Sequence, residues 1–385
     1  MKRKVCVVIT ARPSYSRIKT ALTAIQKHPK LELQIIAAAS ALLDRYGEVA
    51  KVIEQDGFQI TEKVYMVLDG EKLVTSAKST GLGIIELATT FDNLKPDVVV
   101  TIADRFETIS TAIAASYMNI PLAHVQGGEV TGSIDEKVRH SVTKLADLHF
   151  VTTPKAAERV IKMGEDPKTV FMTGCPSIDL ASSVLKNNGV LDFDLIDKYG
   201  GVGEIKKIDN DYIVVLQHPV TTEHEMSRQH IIMTLRAVRD LGITALWFWP
   251  NVDAGSDGTS KGIRSFRETE KPKNIQFFKN VLPEEFLKII FNSRCIVGNS
   301  SVAIRECSFL GVPAVNIGGR QTGRERGRNT IDTDYDSQKI MEAIKHQLKN
   351  GRYGSDSLYG DGQAGENIAN ILATVPLSIE KRLTY

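Results

Sequence analysis

Acidic, basic and hydroxyl side chains in this sequence gather just after short apolar runs, a placement that suits them for chemistry. Cys295-Ile296-Val297 leads into Gly298-Asn299-Ser300-Ser301, and a segment with helical spacing, Val302 to Leu310, follows. A strand that delivers the chain to an open helix N-terminus leaves backbone N–H groups and the positive end of the helix dipole facing outward. That is a seat for phosphate. Glu306 lies one turn further on, where a carboxylate can accept both hydroxyls of a ribose. Phosphate and ribose together make a nucleotide. An ordinary serine-capped helix is the alternative for this segment taken alone.

Similar clusters recur along the chain. Thr10-Ala11-Arg12-Pro13-Ser14-Tyr15-Ser16 puts Arg12 at a loop tip and Ser16 at the expected start of a helix. A guanidinium there can fork onto phosphate or stack on a base; a solvated loop arginine and a capping serine are the alternative. Asp104 and Arg105 follow the β-branched run Val98–Ala103, so a carboxylate with an adjoining cation stands where a general acid or base could act. Gln126-Gly127-Gly128-Glu129 begins the densest polar segment, whose glycines let a loop approach a ligand closely. On the helix expected after it, Asp135 and Arg139 are spaced i, i+4 and share a face with each other. His218, Asn251 and Arg320 each follow a later apolar run; His218 could donate to a phosphate or carry a proton, and Arg320 could reach a phosphate or a carboxylate.

These residues need elements to hold them. Val5–Thr10, Leu33–Ala38, Val98–Ala103, Leu122–Val125, His149–Thr152 and Val170–Thr173 read as strands, with helices starting near Ser16, Asp44, Glu71, Phe106, Asp135, Pro154 and Ile178. A polar, glycine-rich stretch over 186–210 reads as a linker. Alternation then resumes with strands at Tyr212–Leu216, Ala245–Trp249, Ile275–Phe278, Cys295–Val297 and Ala314–Ile317. The expectation is an α/β protein of two Rossmann-like, doubly wound parallel-sheet domains facing a cleft, over 1–185 and 211–365. A helical tail at 366–385, kinked by Pro376, completes it.

Composition narrows the function classes. The chain has 385 residues, 42% of them hydrophobic and 24% charged, enough to bury two cores. A net charge of +2 with interleaved signs indicates neither a nucleic-acid groove nor a polybasic membrane patch. No apolar run approaches the roughly 20 residues of a membrane span, and the run after Met-Lys-Arg-Lys is too short for a signal peptide. The four cysteines are scattered and read as free thiols, which fits the cytoplasm. The eight histidines form no ligand set, so no metal is expected, and no cofactor is called for. There is no G-x-G-x-x-G, P-loop or G-x-S-x-G.

Taken in order, Arg12-x-x-Tyr15-Ser16, Asp104-Arg105-Phe106, Gly127-Gly128-Glu129-Val130-x-Gly132-x-Ile134-Asp135, Arg139-His140, Pro250-Asn251-x-Asp253-Ala254-Gly255-Ser256, Gly298-Asn299-Ser300-Ser301, Arg305-Glu306 and Arg320-Gln321-x-Gly323-Arg324 form a specific set. The sequence resembles the hydrolysing UDP-N-acetylglucosamine 2-epimerases of sialic-acid synthesis, above all the bacterial legionaminic-acid branch. The resemblance implies a GT-B type fold, a nucleoside-diphosphate sugar as substrate and a homodimer or homotetramer. It implies nucleotide contacts at Arg12, Ser16, Arg105, His218, Asn251, Ser300, Ser301, Glu306 and Arg320. Catalytic or orienting roles fall on Asp104, Asp135 and Arg139. Many such enzymes carry glutamate where this chain has Gln126, which cannot take a proton at neutral pH. Either Glu129 or Glu136 then takes over, or Gln126 reads a different sugar, for instance a 4-acetamido-4,6-dideoxy sugar. A GT-B glycosyltransferase and a catalytically silent nucleotide-sugar sensor are the competing readings.

Overall fold

The computed structural model describes residues 1–43, 49–68, 73–103, 105, 107–130, 134–209, 211–250, 256–279 and 281–385. Two compact units emerge. The first comprises 1–130, 134–179 and 360–385; the second runs through Leu180–Tyr359.

In the first unit, runs of β-branched and small apolar residues make seven strands: β1 Arg3–Ile9, β2 Leu31–Ala38, β3 Glu62–Val64, β4 Val98–Ile102, β5 Leu122–Val125, β6 Leu148–Val151 and β7 Val170–Met172. All pair in parallel, in the order β3-β2-β1-β4-β5-β6-β7. Such strands read as continuous apolar runs because helices cover both faces. Val5, Val7 and Ile9 point to one core, and Cys6 and Val8 to the other. The second unit repeats the plan with β8 Tyr212–Leu216, β9 Thr244–Phe248, β10 Ile275–Phe278, β11 Cys295–Gly298, β12 Ala314–Ile317 and β13 Thr330–Thr333, ordered β10-β9-β8-β11-β12-β13. In each sheet the order reverses between two neighbouring strands, β1 and β4 in the first, β8 and β11 in the second. Ligands of doubly wound sheets gather beyond the carboxyl ends of such pairs.

Two boundaries differ from the sequence expectation. Residues 186–210 belong to the second unit: the helix Leu195–Tyr199 hydrogen-bonds Glu285 through Lys198 and Tyr199, and Val202 bridges Phe277 of β10. The segment after Tyr359 returns to the first unit. Its helix, Ala364–Thr374, buries Ile368, Ala369 and Leu372 in the core of β1 and the helix Lys19–Lys27. Asp179 accepts from the N–H groups of Ala364 (2.9 Å) and Gly365 (2.8 Å) and from the Thr20 hydroxyl (2.8 Å). At the other end, Arg3 donates to the carbonyls of Leu372 and Val375. An anion at the N-terminus and a cation at the C-terminus oppose the helix dipole in the favourable sense. The helix stops at Thr374, so Pro376 lies beyond it and does not kink it.

Past that helix, Lys381 donates to Glu165, a 3% exposed carboxylate that also holds Lys144 (2.5 Å) and His149 (3.0 Å). Burial alone would raise the Glu165 carboxyl, but hydrogen bonds from His149, Lys144 and Lys381 bring it down to about 2.

Candidate functional site

Several of the sequence-predicted residues follow the carboxyl ends of strands at or next to the switch points of the two sheets. In the first unit Arg12 follows β1, Arg105 follows β4 and Gln126 follows β5 directly. Asp104 and Phe106 lie outside the described residues. Arg12 opens a five-residue helix, Arg12–Ser16. Ser16 closes that helix instead of starting one, and its hydroxyl donates to the Pro13 carbonyl (3.1 Å). Proline favours the first helical turn, so Pro13 draws the start back to Arg12. The half-buried Arg105 donates through Nε to the buried Glu107 (3.3 Å).

The loop after β5 is built on backbone that side chains rarely adopt. Gln126 has φ +68°, and Gly128 has φ +74° with the Ala156 carbonyl 2.3 Å from where a Cβ would stand. Only glycine fits at 128. Gln126 is fully buried; its amide donates to Cys175 Sγ (3.0 Å), which lies 3.0 Å from Ser177 Oγ. Its Oε1 has no hydrogen-bond partner among the described residues.

Arg139, on the helix Ile134–Leu145, is 0% exposed. It donates to the Gln126 carbonyl (3.0 Å) and pairs with Glu129 (3.4 Å), whose other oxygen accepts from Thr152 (2.9 Å). Asp135 shares the helix face with Arg139. The ion pair in the structure reaches back to the Gly-Gly-Glu loop. Asp135 sits half-buried in the first turn, where a carboxylate favours the helix dipole. Glu136 contacts His140 (3.3 Å).

His124 was not among the expected site residues. It is fully buried in β5, with Nε2 2.9 Å from the Ala103 carbonyl and Nδ1 3.1 Å from Thr143 Oγ1. A carbonyl only accepts, so Nε2 carries the proton and Nδ1 accepts from threonine. Burial lowers this imidazole to about 4, which keeps it neutral. Ala103 has φ +65°, a left-handed conformation for a residue with a Cβ, and it immediately precedes Asp104. A histidine in an otherwise apolar strand is the signal that would have found this contact.

In the second unit His218 follows β8, Ser300 and Ser301 follow β11, and Arg320 follows β12. Asn251 lies outside the described residues. Gly298, φ +137°, lets the β11 backbone press against β8: a Cβ would stand 2.1 Å from the Leu216 carbonyl. Asn299 accepts the His218 N–H through Oδ1 (2.7 Å) and donates from Nδ2 to the His218 carbonyl (2.8 Å). Arg320 and Gln321 both donate to the Asn299 carbonyl, at 3.2 and 2.8 Å.

The expected helix over Val302–Leu310 is broken. Ser300 caps a single 3₁₀ turn, Ser301–Ala303, accepting from Val302 N (3.5 Å), and a separate helix runs Glu306–Leu310. Arg305, buried with its guanidinium 5.8 Å from the Tyr359 ring, has ψ −74° and separates the two. Positive potential for an anion here comes from turn amides and Arg320 more than from a long helix dipole. Glu306 Oε2 is shielded from water and lacks a partner among the described residues, as suits an acceptor waiting for hydroxyl donors.

All four cysteines are buried free thiols, as expected for Cys6 and Cys295. Among the described residues no His, Cys, Asp or Glu group could hold a metal, and no helix is long and apolar enough to cross a membrane.

Two doubly wound sheets, each presenting cations and hydroxyl or carboxylate groups at its switch point, are the build of a nucleotide-sugar enzyme of GT-B type. The UDP-N-acetylglucosamine 2-epimerase family model matches residues 23–373, and the chain belongs to that family. It is 33% identical to the GDP/UDP-N,N'-diacetylbacillosamine 2-epimerase (hydrolyzing) of Campylobacter jejuni, over 86% of this chain and 85% of the relative. It is 29% identical to the UDP-N-acetylglucosamine 2-epimerase of Neisseria meningitidis serogroup B, over 94% and 92%. The solved structure of a Neisseria meningitidis UDP-GlcNAc 2-epimerase bound to UDP-GlcNAc shares the fold, with TM-score 0.79 at 17% identity, covering 96% of this chain and 99% of that one.

Proposed function

We propose that the protein is a hydrolysing 2-epimerase that converts a nucleoside-diphosphate N-acetylhexosamine to the free 2-epimeric sugar and nucleoside diphosphate. The observation that carries this reading is His218, Ser300 and Ser301 beyond the switch-point strands β8 and β11, with Arg320 beyond the neighbouring β12 and a Glu306 oxygen that lacks a partner among the described residues. Diphosphate meets the cation and the turn amides; ribose hydroxyls meet Glu306. The bacillosamine specificity named for the Campylobacter relative supports a substrate of that kind, UDP- or GDP-linked. UDP-GlcNAc is the other candidate, from the Neisseria relative.

The chemistry falls to the first unit. A carboxylate, assigned to Asp104 or Asp135, takes the proton from sugar C-2. The C-1–oxygen bond breaks, and the nucleoside diphosphate leaves with its electron pair. Water then adds its oxygen at C-1 of the resulting glycal, while C-2 receives a proton on the opposite face. The C-2 proton of an acetamido sugar is weakly acidic, so base and leaving-group stabilisation must act together. Glu129, already paired with Arg139 and Thr152, is best placed to orient Arg139 and the loop carrying Gln126, leaving proton transfer to the other carboxylates. A cytoplasmic homo-oligomer serving sialic- or legionaminic-acid synthesis fits this reading.

The test is a panel of UDP- and GDP-linked acetamido sugars, without acceptor, followed by proton and phosphorus NMR. Free 2-epimer plus nucleoside diphosphate is expected. Product that keeps its nucleotide, or turnover only with an added acceptor, would overturn the reading. Running Gln126→Glu beside the wild type asks whether Gln126 selects the sugar; an unchanged preference and rate rules that role out.

A further inference from the structure

Asn299 has no place in the chemistry above, yet three segments of the second unit meet it. It is 0% exposed, and its amide makes a two-way clamp on the His218 backbone, beyond β8. Its own carbonyl, at the end of β11, takes Arg320 and Gln321 from beyond β12. Tyr335 lies just past β13. The Tyr335 ring closes on Gly318, where a Cβ would stand 2.4 Å from it, and stacks on His230 at 3.6 Å and 4°. The strands β8, β11, β12 and β13 are adjacent in the sheet.

We infer that Asn299 is the positioning residue of the nucleotide site: its buried amide fixes the His218 backbone against the end of β11, and its main-chain carbonyl holds Arg320 beside Ser300 and Ser301, so that the diphosphate meets them prearranged. This rests on the nucleotide-sugar reading of the same site. The requirement is for an amide, because the clamp needs an acceptor and donors on one planar group. Aspartate keeps shape and acceptor but loses the hydrogens, and its carboxylate faces the His218 carbonyl.

The test is calorimetric binding of UDP to the full-length wild type and N299D at about pH 8 and about pH 5.5, with the variant-to-wild-type ratio read at each, so that the shared titrations of UDP, His218, His230, Glu223 and Tyr335 cancel. At the higher pH the variant should bind about tenfold more weakly, and the ratio should shrink at the lower pH as a protonated carboxyl regains one donor. Ratios within about twofold at both pH values, with only thermal stability reduced, would make Asn299 a structural residue and overturn the inference. A loss that ignores pH would not follow the protonation of the new carboxyl and would overturn the amide requirement too. Should N299D fail to fold, N299S keeps an uncharged donor and acceptor on a shorter side chain that no longer spans the His218 N–H and carbonyl; about threefold weaker binding is expected, and unchanged binding overturns the clamp. A wild type that binds no nucleoside diphosphate removes the function reading and this inference together; a binding wild type with an indifferent N299D removes only the inference.

Discussion

Glu306 keeps one carboxylate oxygen dry and without a partner among the described residues, which is costly unless a ligand supplies hydrogens. Glu306→Gln should weaken UDP binding by about tenfold but leave a 2',3'-dideoxy analogue nearly unaffected, measured by calorimetry. Equal losses for both nucleotides would remove the ribose contact. Glu129 makes the opposite case. Its pairing with Arg139 is enclosed, so Glu129→Gln removes the carboxylate charge that faces a buried guanidinium, and urea denaturation should show a loss of about 3 kcal/mol. His124 gives a pH signature. The unfolded chain protonates this imidazole near 6.5, the folded chain near 4, so the unfolded state holds more protons between those values. Stability therefore rises with pH across that window and is lost as pH falls from about 6.5 toward 4, by roughly 3 kcal/mol. His124→Gln should flatten that slope in urea titrations while its amide still reaches the Ala103 carbonyl. These roles were unevenly legible. Residue type and position after a strand singled out Arg139, Glu129 and Glu306. Partners did not follow from type: spacing put Asp135 and Arg139 on one helix face, whereas tertiary burial paired Arg139 with Glu129.

At the level of elements, buried parallel strands announced themselves because both faces are apolar. The two that escaped the sequence, Glu62–Val64 and Thr330–Thr333, are short edge strands with polar residues and little to distinguish them from loop. Helical spacing over Val302–Leu310 was real, but a buried arginine in its middle split the segment, and periodicity carries no information about such a break. The terminal helix was visible as a helix, while its destination was not. Its anchoring rests on Asp179 and Arg3, far away in sequence, and nothing local marks them. Asp179→Ala removes the side-chain acceptor of two terminal N–H groups and should cost about 1–2 kcal/mol, measured by denaturation. Protease nicking after residue 360 should accelerate in the same variant, and an unchanged cleavage rate would deny Asp179 its anchoring role.

For the whole molecule, the two units have separate cores and separate sheets, and the proposed labour divides the same way: proton transfer in one, leaving-group recognition in the other. The cysteines happen to be shared evenly between them. Cys6 and Cys175 lie in the first unit, Cys295 and Cys307 in the second, all shut away from solvent. Burial raises the thiols of Cys6, Cys295 and Cys307 well above the ordinary range, so the native chain offers them little reactivity toward an alkylating reagent. Labelling must then wait for a unit to open. Mass spectrometry of the alkylated peptides should show two independent rates, and UDP should slow only the pair in the second unit. Each half of the protein thus carries its own chemical clock, installed without engineering.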